Sequence, residues 1–345
     1  MTSRPPLPVF GVLGEPKNQF SLTHAAPSTG RRAKSNFLSV TVLSIAALLA
    51  AGTVSSASAG ELGKLVVTFF EMPQHGIAIA VQTPTRHVYL VDTGIAGDGH
   101  DTGRDILAPF LRARKVAEIE GIVHTHPHRD HYGGTPYLLE HFKVKRVIDS
   151  GYDRGVYKVV FLSDLPSSSD YPKLRKLVTE RGSEHQVVRT GDKLKWDDAL
   201  EVEVLSPPKE FLKQPKGVEY EINDNSVVLR VRHGRNVFLF TGDIGELGQD
   251  YLLETIGAEK LKCTVLAVPH HGFDSYERFA AVVKPAVVVA SCLKDYPRDN
   301  IRSPGQKTTD VYGPVGAQVY VTAWHGSVQV TSDGEIYTVK TDRTP

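Results

Sequence analysis

The chain has very little thiol chemistry to offer. Its 345 residues hold two cysteines, Cys263 and Cys292, each in or beside an apolar, β-branched run. That excludes a disulfide-built scaffold and any zinc site closed by four thiolates. The two read as small buried hydrophobes, with a single disulfide as the alternative. An excess of charge of one sign is also missing, since 40 Lys and Arg against 39 Asp and Glu leave a formal net charge of +1. With no bulk field and no long basic run after residue 60, nothing indicates nucleic-acid binding or attraction to an acidic membrane. After residue 60 there is also no apolar run of the about twenty residues that a spanning helix needs.

The first sixty residues differ from the rest. Met1 to Gly30 is rich in Pro, Ser, Thr and Gly and has no period. Arg31, Arg32 and Lys34 then precede an apolar run from Phe37 to Ala51, and Ala57-Ser58-Ala59 follows. Basic residues, a short apolar stretch and a small-x-small site are the parts of an export signal. Residues 1–59 are therefore expected to be an export leader and signal peptide cleaved after Ala59. An uncleaved signal anchor is the alternative, and Arg31-Arg32 hints weakly at twin-arginine export. The expected location is periplasmic or secreted, with no stable membrane association once the signal is gone. Residues 60–345 have the length of one large α/β domain. Overall, 41% apolar and 23% charged residues are ordinary for a globular chain.

The chemistry lies in Thr125-His126-Pro127-His128-Arg129-Asp130-His131-Tyr132-Gly133-Gly134. Neutral imidazole and carboxylate are usual ligands of zinc and similar divalent ions. With no cysteine nearby, the set looks like an open site that keeps a position for water. His126 and His128 are two apart, so in an extended segment they point the same way, while Asp130 and His131 follow a turn and face elsewhere. One loop can thus feed two neighbouring ions. His124 reads as an incidental surface histidine and Tyr132 as a packing residue.

Patterning places strands at Leu65–Phe70, Gly76–Val81, His87–Val91, Glu118–Val123 and Val144–Ile148. Helices are expected over Arg104–Arg114 and Thr135–His141, with a helix start at Gly133. Ser150–Gly217 looks less regular, with a flexible connection at Ser163–Ser169 and a hairpin within Gly191–Leu205. Strands return at Val227–Arg232, Asn236–Phe240, Cys263–Val268 and Ala286–Ala290, followed by a terminal meander over Gln318–Val339. Two sheets sandwiched between helices fit this two-half order. Asp92, Asp243 and His271 each lie just past the end of an apolar strand, where the edge of an α/β sheet gathers its site. Asp243 suits a bridging carboxylate, His271 completes the shell of the second metal, and Asp92 orients a ligand imidazole or binds the nucleophilic water from the second shell.

Asp92, His126-x-His128-x-Asp130-His131, Asp243 and His271 together resemble the motif series of the metallo-β-lactamase superfamily. The likeness runs from about residue 62 to 340. Gly76, Ala78, Asp92-Thr93-Gly94, Asp98-Gly99, Asn225-Ser226-Val227-Val228-Leu229, Phe240-Thr241-Gly242-Asp243 and Val268-Pro269-His270-His271-Gly272 are most similar to the soluble hydrolase domain of the competence protein ComEC branch. The resemblance implies an αββα metallo-β-lactamase-like sandwich of two mixed β-sheets flanked by helices. It implies one or two divalent ions, zinc first and manganese or iron next. It puts one ion on His126, His128 and Asp243, and the other on Asp130, His131, Asp243 and His271. Most of the superfamily has one more histidine before the Asp243 strand, where this chain has Asn223-Asp224-Asn225-Ser226, a trait shared with the ComEC branch. That branch often has a carboxylate where His128 stands, and a Gly-His-Pro near Asn300–Pro304, which here lacks histidine. No counterpart of the competence protein's membrane channel is read in this sequence, so DNA uptake is not implied. The expected activity is an exported metal-dependent hydrolase of a phosphoester, a diester first, using metal-activated water. Asp130, His270 and Asp92 are the candidate catalytic residues. Hydrolysis of a lactam, lactone or thioester is the rival, and a non-catalytic metal- or ligand-binding domain the third reading.

Overall fold

The computed structural model describes residues 63–73, 75–97, 99–153, 171–293 and 303–344. The leader expected over 1–59, the Ser163–Ser169 connection, Asp98 and Asn300–Arg302 lie outside the described residues. Two mixed sheets form the frame. Across the first run Glu184–Val187, Arg146–Asp149, Gly121–Val123, Val88–Thr93, Ala78–Gln82, Leu65–Phe69, Val328–Ser332 and Tyr337–Thr341. Across the second run Lys193–Leu194, Leu200–Ser206, Val228–His233, Asn236–Phe240, Val265–Ala267, Val287–Ala290 and Gln318–Val321.

The apolar residues explain the layering. Side chains alternate across a strand, and here both faces are apolar. From Leu65–Phe69, Leu65, Val67 and Phe69 enter the layer between the sheets, which they share with Leu229, Val231, Phe238 and Phe240 of the second sheet. Ala78, Ala80, Val88, Leu90 and Ile122 face the other way, onto Leu107, Leu111, Leu138 and Leu174 of the outer helices. The second sheet turns Leu239, Leu266, Val288 and Ala290 outward onto Leu252, Phe279, Val283 and Tyr312. Three apolar layers thus make the αββα order.

What positions the site is the direction of the strands. In the first sheet Val88–Thr93, Gly121–Val123 and Arg146–Asp149 run parallel. In the second, Asn236–Phe240, Val265–Ala267 and Val287–Ala290 do the same. Their carboxyl ends share one edge of the sandwich, where backbone groups no longer pair and loops carry side chains. The two sheets are joined there by Val227 N–H donating to Thr125 O at 2.7 Å.

Some expectations need correction. Gln318–Val321 is not part of a terminal meander, because it pairs parallel to Val287–Ala290 in the second sheet. Of that expected meander, Val328–Ser332 and Tyr337–Thr341 form an antiparallel pair, in the first sheet. The helix Pro304–Tyr312, capped by the Ser303 hydroxyl accepting from Gln306 N–H, supplies the crossover. The middle is more regular than its composition indicates, holding the helix Tyr171–Glu180, the strand Glu184–Val187 and the helix Val218–Asp224. The helix after the histidine loop starts at Arg129, with His128 still extended before it. Cys263 and Cys292 are both buried and unpaired. Among the described residues, no helix is long and apolar enough to cross a membrane.

Candidate metal centre

The site is built from four loops at that shared edge. Val123 ends its strand, and the chain continues through His126 and an extended His128 into the short helix Arg129–Tyr132. Asp92 lies at the end of Val88–Thr93 with φ 58°, His270 and His271 follow Val265–Ala267 with φ 49° and 57°, and Gly242 turns with φ 54° to present Asp243. Positive φ is uncommon for residues with a Cβ, so three site residues share a strained conformation. Gly242 has no alternative, since a Cβ there would lie 2.8 Å from side-chain atoms of Thr125 and Ser226.

The carboxylates sit at the centre. Asp243 Oδ2 lies 3.2 Å from His131 Nε2, 3.6 Å from His271 Nε2, and 3.8 Å from both His126 Nε2 and His270 Nε2. Asp130 Oδ2 lies 3.3 Å from His271 Nε2 and 3.6 Å from His131 Nε2. The structure therefore brings His126, Asp130, His131, Asp243 and His271 together, as the sequence motifs imply. His128 joins them through its other nitrogen, with Nδ1 2.9 Å from His126 Nε2.

The outer partners assign the tautomers of these rings. His131 Nδ1–H donates to Asp92 Oδ2 at 2.8 Å. His271 Nδ1–H donates to the carbonyl of Ser291 at 2.9 Å. His128 Nε2–H donates to Glu219 Oε2 at 2.9 Å. The Thr125 hydroxyl donates to Asp92 at 2.8 Å, so its oxygen is left to accept from His126 Nδ1–H at 3.0 Å. Each ring's inner nitrogen is then a bare lone pair. With every ring neutral, the inward atoms are four such nitrogens and two carboxylates, all acceptors, and acceptors cannot satisfy one another. Consistent with this, His131 Nε2, His271 Nε2 and Asp243 Oδ1 are buried without a hydrogen-bond partner. A cation is what such a pocket fits.

The field agrees. Burial favours the neutral form of Asp130, yet His131, His271 and His75 hold its carboxyl well below the usual range. Burial likewise opposes ionisation of Asp243, and His131, followed by His271 and His270, overrides it. Burial and the neighbouring His131 push His126 well down, which keeps it neutral. At His131 burial opposes a positive charge, but Asp243, Asp130 and Asp92 raise its affinity for a proton well above the ordinary value. The same three carboxylates would favour any cation at that point.

Asp92 touches Thr125 and His131 rather than the centre of the pocket. Burial lifts its carboxyl above the usual range against the pull of His131 and Thr125. Its backbone partner is Thr125 N–H at 2.8 Å. It is thus placed to orient His131. His270 turns Nδ1 to Asp274 Oδ2 at 2.5 Å, and Tyr276 Oη donates to the other Asp274 oxygen at 2.8 Å. His124 is not an incidental surface residue. It is fully buried, its nitrogens 2.9 Å from Tyr171 Oη and 2.7 Å from Thr135 Oγ1, and burial pushes its pKa down to about 3. Thr135 Oγ1 meets Thr93 Oγ1, which contacts His131 O, so His124 supports the loop from behind. Tyr132 is buried and packs, as expected.

Where a further histidine would stand, the chain builds a scaffold. Asp224 Oδ1 accepts from Gly245 and Gly248 N–H, Asn225 grips Leu212, and Ser226 Oγ accepts from Asp243 N–H at 3.2 Å. Sequence reasoning missed Glu219, Asp274 and His75. A lone carboxylate in a helix or loop looks like surface charge, although Asp274 lies four residues after His270. His75 stands directly before Gly76, one of the motif glycines. Its Nε2 is 3.4 Å from Asp130 Oδ2, and burial together with His271 lowers its pKa to about 4.

Fold and site together define a class: an αββα sandwich with His and Asp clusters at one edge, consistent with divalent-metal binding. The chain belongs to the metallo-β-lactamase superfamily, whose family model, described as Metallo-beta-lactamase superfamily, matches residues 76–291. It is 28% identical over 230 residues to ComE operon protein 3 of Bacillus subtilis (strain 168), covering 66% of this chain and 26% of that protein. It is 28% identical over 249 residues to Competence protein ComA of Neisseria gonorrhoeae, covering 71% of this chain and 30% of that protein. A shorter stretch of 54 residues is 44% identical to Ribonuclease J of Mycolicibacterium smegmatis, covering 15% of this chain and 10% of that protein. The chain thus spans less than a third of the length of each of these relatives. Its distant homology to the two competence proteins agrees with the ComEC-like motifs.

Proposed function

We propose that the chain is an exported metal-dependent hydrolase of a phosphoester, a diester first. The observation that carries the hydrolase reading is the pocket in which outer partners turn four imidazole nitrogens inward beside two carboxylates, forming two adjoining His and Asp clusters. His126, His128 and Asp243 would hold one ion, and Asp130, His131 and His271 a second, with Asp243 between them. Zinc suits imidazole and carboxylate at an open site, and manganese and iron remain candidates. When bound, such ions supply Lewis acidity and an acidified water at neutral pH.

The chain's own residues do the rest. Asp130 and Asp243 hold the attacking water by accepting its protons. His270, fixed through Asp274 and partly exposed, offers Nε2 toward the substrate side, where it delivers a proton to the leaving oxygen. Asp92, Ser291 and Glu219 keep His131, His271 and His128 in the tautomers the site needs. The diester preference is supported by the likeness to a protein named as a ribonuclease, whose bond is a phosphodiester. Export is supported by the basic, apolar and small-x-small order within residues 31–59.

Bis-p-nitrophenyl phosphate should turn over with zinc, stop after chelation, and stay inert with His126→Ala. Turnover of nitrocefin with no phosphoester cleavage would move the reading to the lactam class. A mature form beginning at Gly60 is the expected product of export.

A further inference from the structure

The ligands just assigned leave one inward imidazole over. His75, Asp130 and His271 offer ligand atoms that all lie within 4.8 Å of one another, as do His126, His131 and Asp243. The His75 ring lies 4.1 Å from that of His271, and His75 Nε2 is 3.4 Å from Asp130 Oδ2. We propose that His75 is a ligand of the ion held by Asp130 and His271, and that it makes up in number for the imidazole this chain lacks before Asp243. This rests on the metal-centre reading above.

The backbone is built to bring His75 there. Ile77 N–H donates to Asp130 O at 3.1 Å, and Ile77 O accepts from Gly94 N–H at 2.7 Å, so this segment is clamped between the histidine loop and the Asp92 turn. Gly76 makes the clamp work. It has φ +142°, and a Cβ on it would lie 2.7 Å from Asp130 O. Any side chain at position 76 would push the His75 segment off the Asp130 loop. With His75 included, each ion has imidazole and carboxylate donors from loops of both sheets, and His131 is free to serve the ion beside Asp243.

The test is metal uptake, read without activity. Chelator-stripped wild type, His75→Ala and His75→Gln are titrated with zinc against a chromophoric chelator, and their cobalt forms are compared by visible absorption. Circular dichroism and melts in EDTA check folding, and His75→Gln keeps the bulk of the side chain. The expected result is that one equivalent weakens by at least about tenfold in both variants, a lower bound taken from the loss of outer partners, with one cobalt band lost. Unchanged affinity, stoichiometry and spectrum in the folded variants overturn the proposal, whether wild type holds one ion or two. A wild type that binds no metal overturns the metal-centre reading itself, and that outcome is visible before any variant is made.

Discussion

Asp92→Asn is the sharpest probe of the tautomer argument. Asp92 is buried and accepts from Thr125 N–H, the Thr125 hydroxyl and His131 Nδ1–H, each at 2.8 Å. An asparagine fills the same space and keeps the bond from Thr125 N–H. Its amide N–H, however, faces His131 Nδ1 and favours the proton on Nε2, where it points into the pocket. The ring then offers a donor to the ion instead of a lone pair. Loss of an outer partner of this kind weakens metal binding by about 10–100-fold, which is about 1.4–2.7 kcal/mol. By linkage, zinc should stabilise the variant by that much less than wild type at the same buffered free zinc. Urea unfolding of both proteins, in EDTA and in a zinc buffer, measures the two increments. If zinc adds the same stability to Asp92→Asn as to wild type, the partner does not set the ligand and the reasoning fails.

Other perturbations address the frame. Asp197 joins the two sheets at the edge away from the site: burial opposes its ionisation, but the Thr85 hydroxyl and the N–H groups of Ala199 and Thr85 bring its pKa down to about 2. A depressed carboxyl stabilises the fold fully above its unfolded value of about 3.9 and loses that contribution as pH falls through the folded value. Asp197→Asn should therefore cost about 1–2 kcal/mol near neutral pH, after discounting for solvent screening at this rim position. The gap to wild type in urea unfolding should close between about pH 4 and 2. Gly242→Ala forces a Cβ against Thr125 and Ser226 at φ 54°. It should lower stability by about 1–3 kcal/mol and also weaken zinc uptake, since Asp243 moves with it; a zinc titration of the folded variant checks the second part. Phe240→Ala, in the layer between the sheets beside Phe69, should cost about 3–5 kcal/mol in equilibrium unfolding while leaving the metal stoichiometry unchanged.

Much of the fold was legible because its central strands are short apolar runs with turn residues at their ends. Asn236–Phe240 and the helix Thr135–His141 have the limits that patterning assigns. The convergence of Asp92, Asp243 and His271 followed from one rule about parallel strand ends. Elsewhere the signal was local and the answer was not. Tyr171–Glu180 buries only Tyr171, Leu174 and Val178, so its composition resembles a loop. Gln318–Val321 was read with its neighbours in sequence, but the Pro304–Tyr312 helix carries the chain across and sets it parallel in the other sheet. The histidine cluster was visible because imidazoles crowded into one loop are rare by chance. Its outer partners were not, because Glu219 and Asp274 acquire meaning only from distances of 2.9 Å and 2.5 Å that no spacing encodes.

The strain and the electrostatics of the site have one cause. To aim side chains from separate strand ends at a single point, the backbone accepts left-handed conformations at Asp92, His270 and His271, each costing about 1–3 kcal/mol. Aiming two carboxylates and several imidazole nitrogens at one another adds repulsion that a proton on His131 relieves only in part. Both costs are tolerable only because the layers behind are rigid and apolar, from Phe69 and Phe240 between the sheets to Tyr312 outside them. A cation cancels the repulsion and leaves the backbone strain in place. Metal binding should thus stabilise this fold more than the ligands' number alone suggests, because the reference state already carries the cost of assembling them.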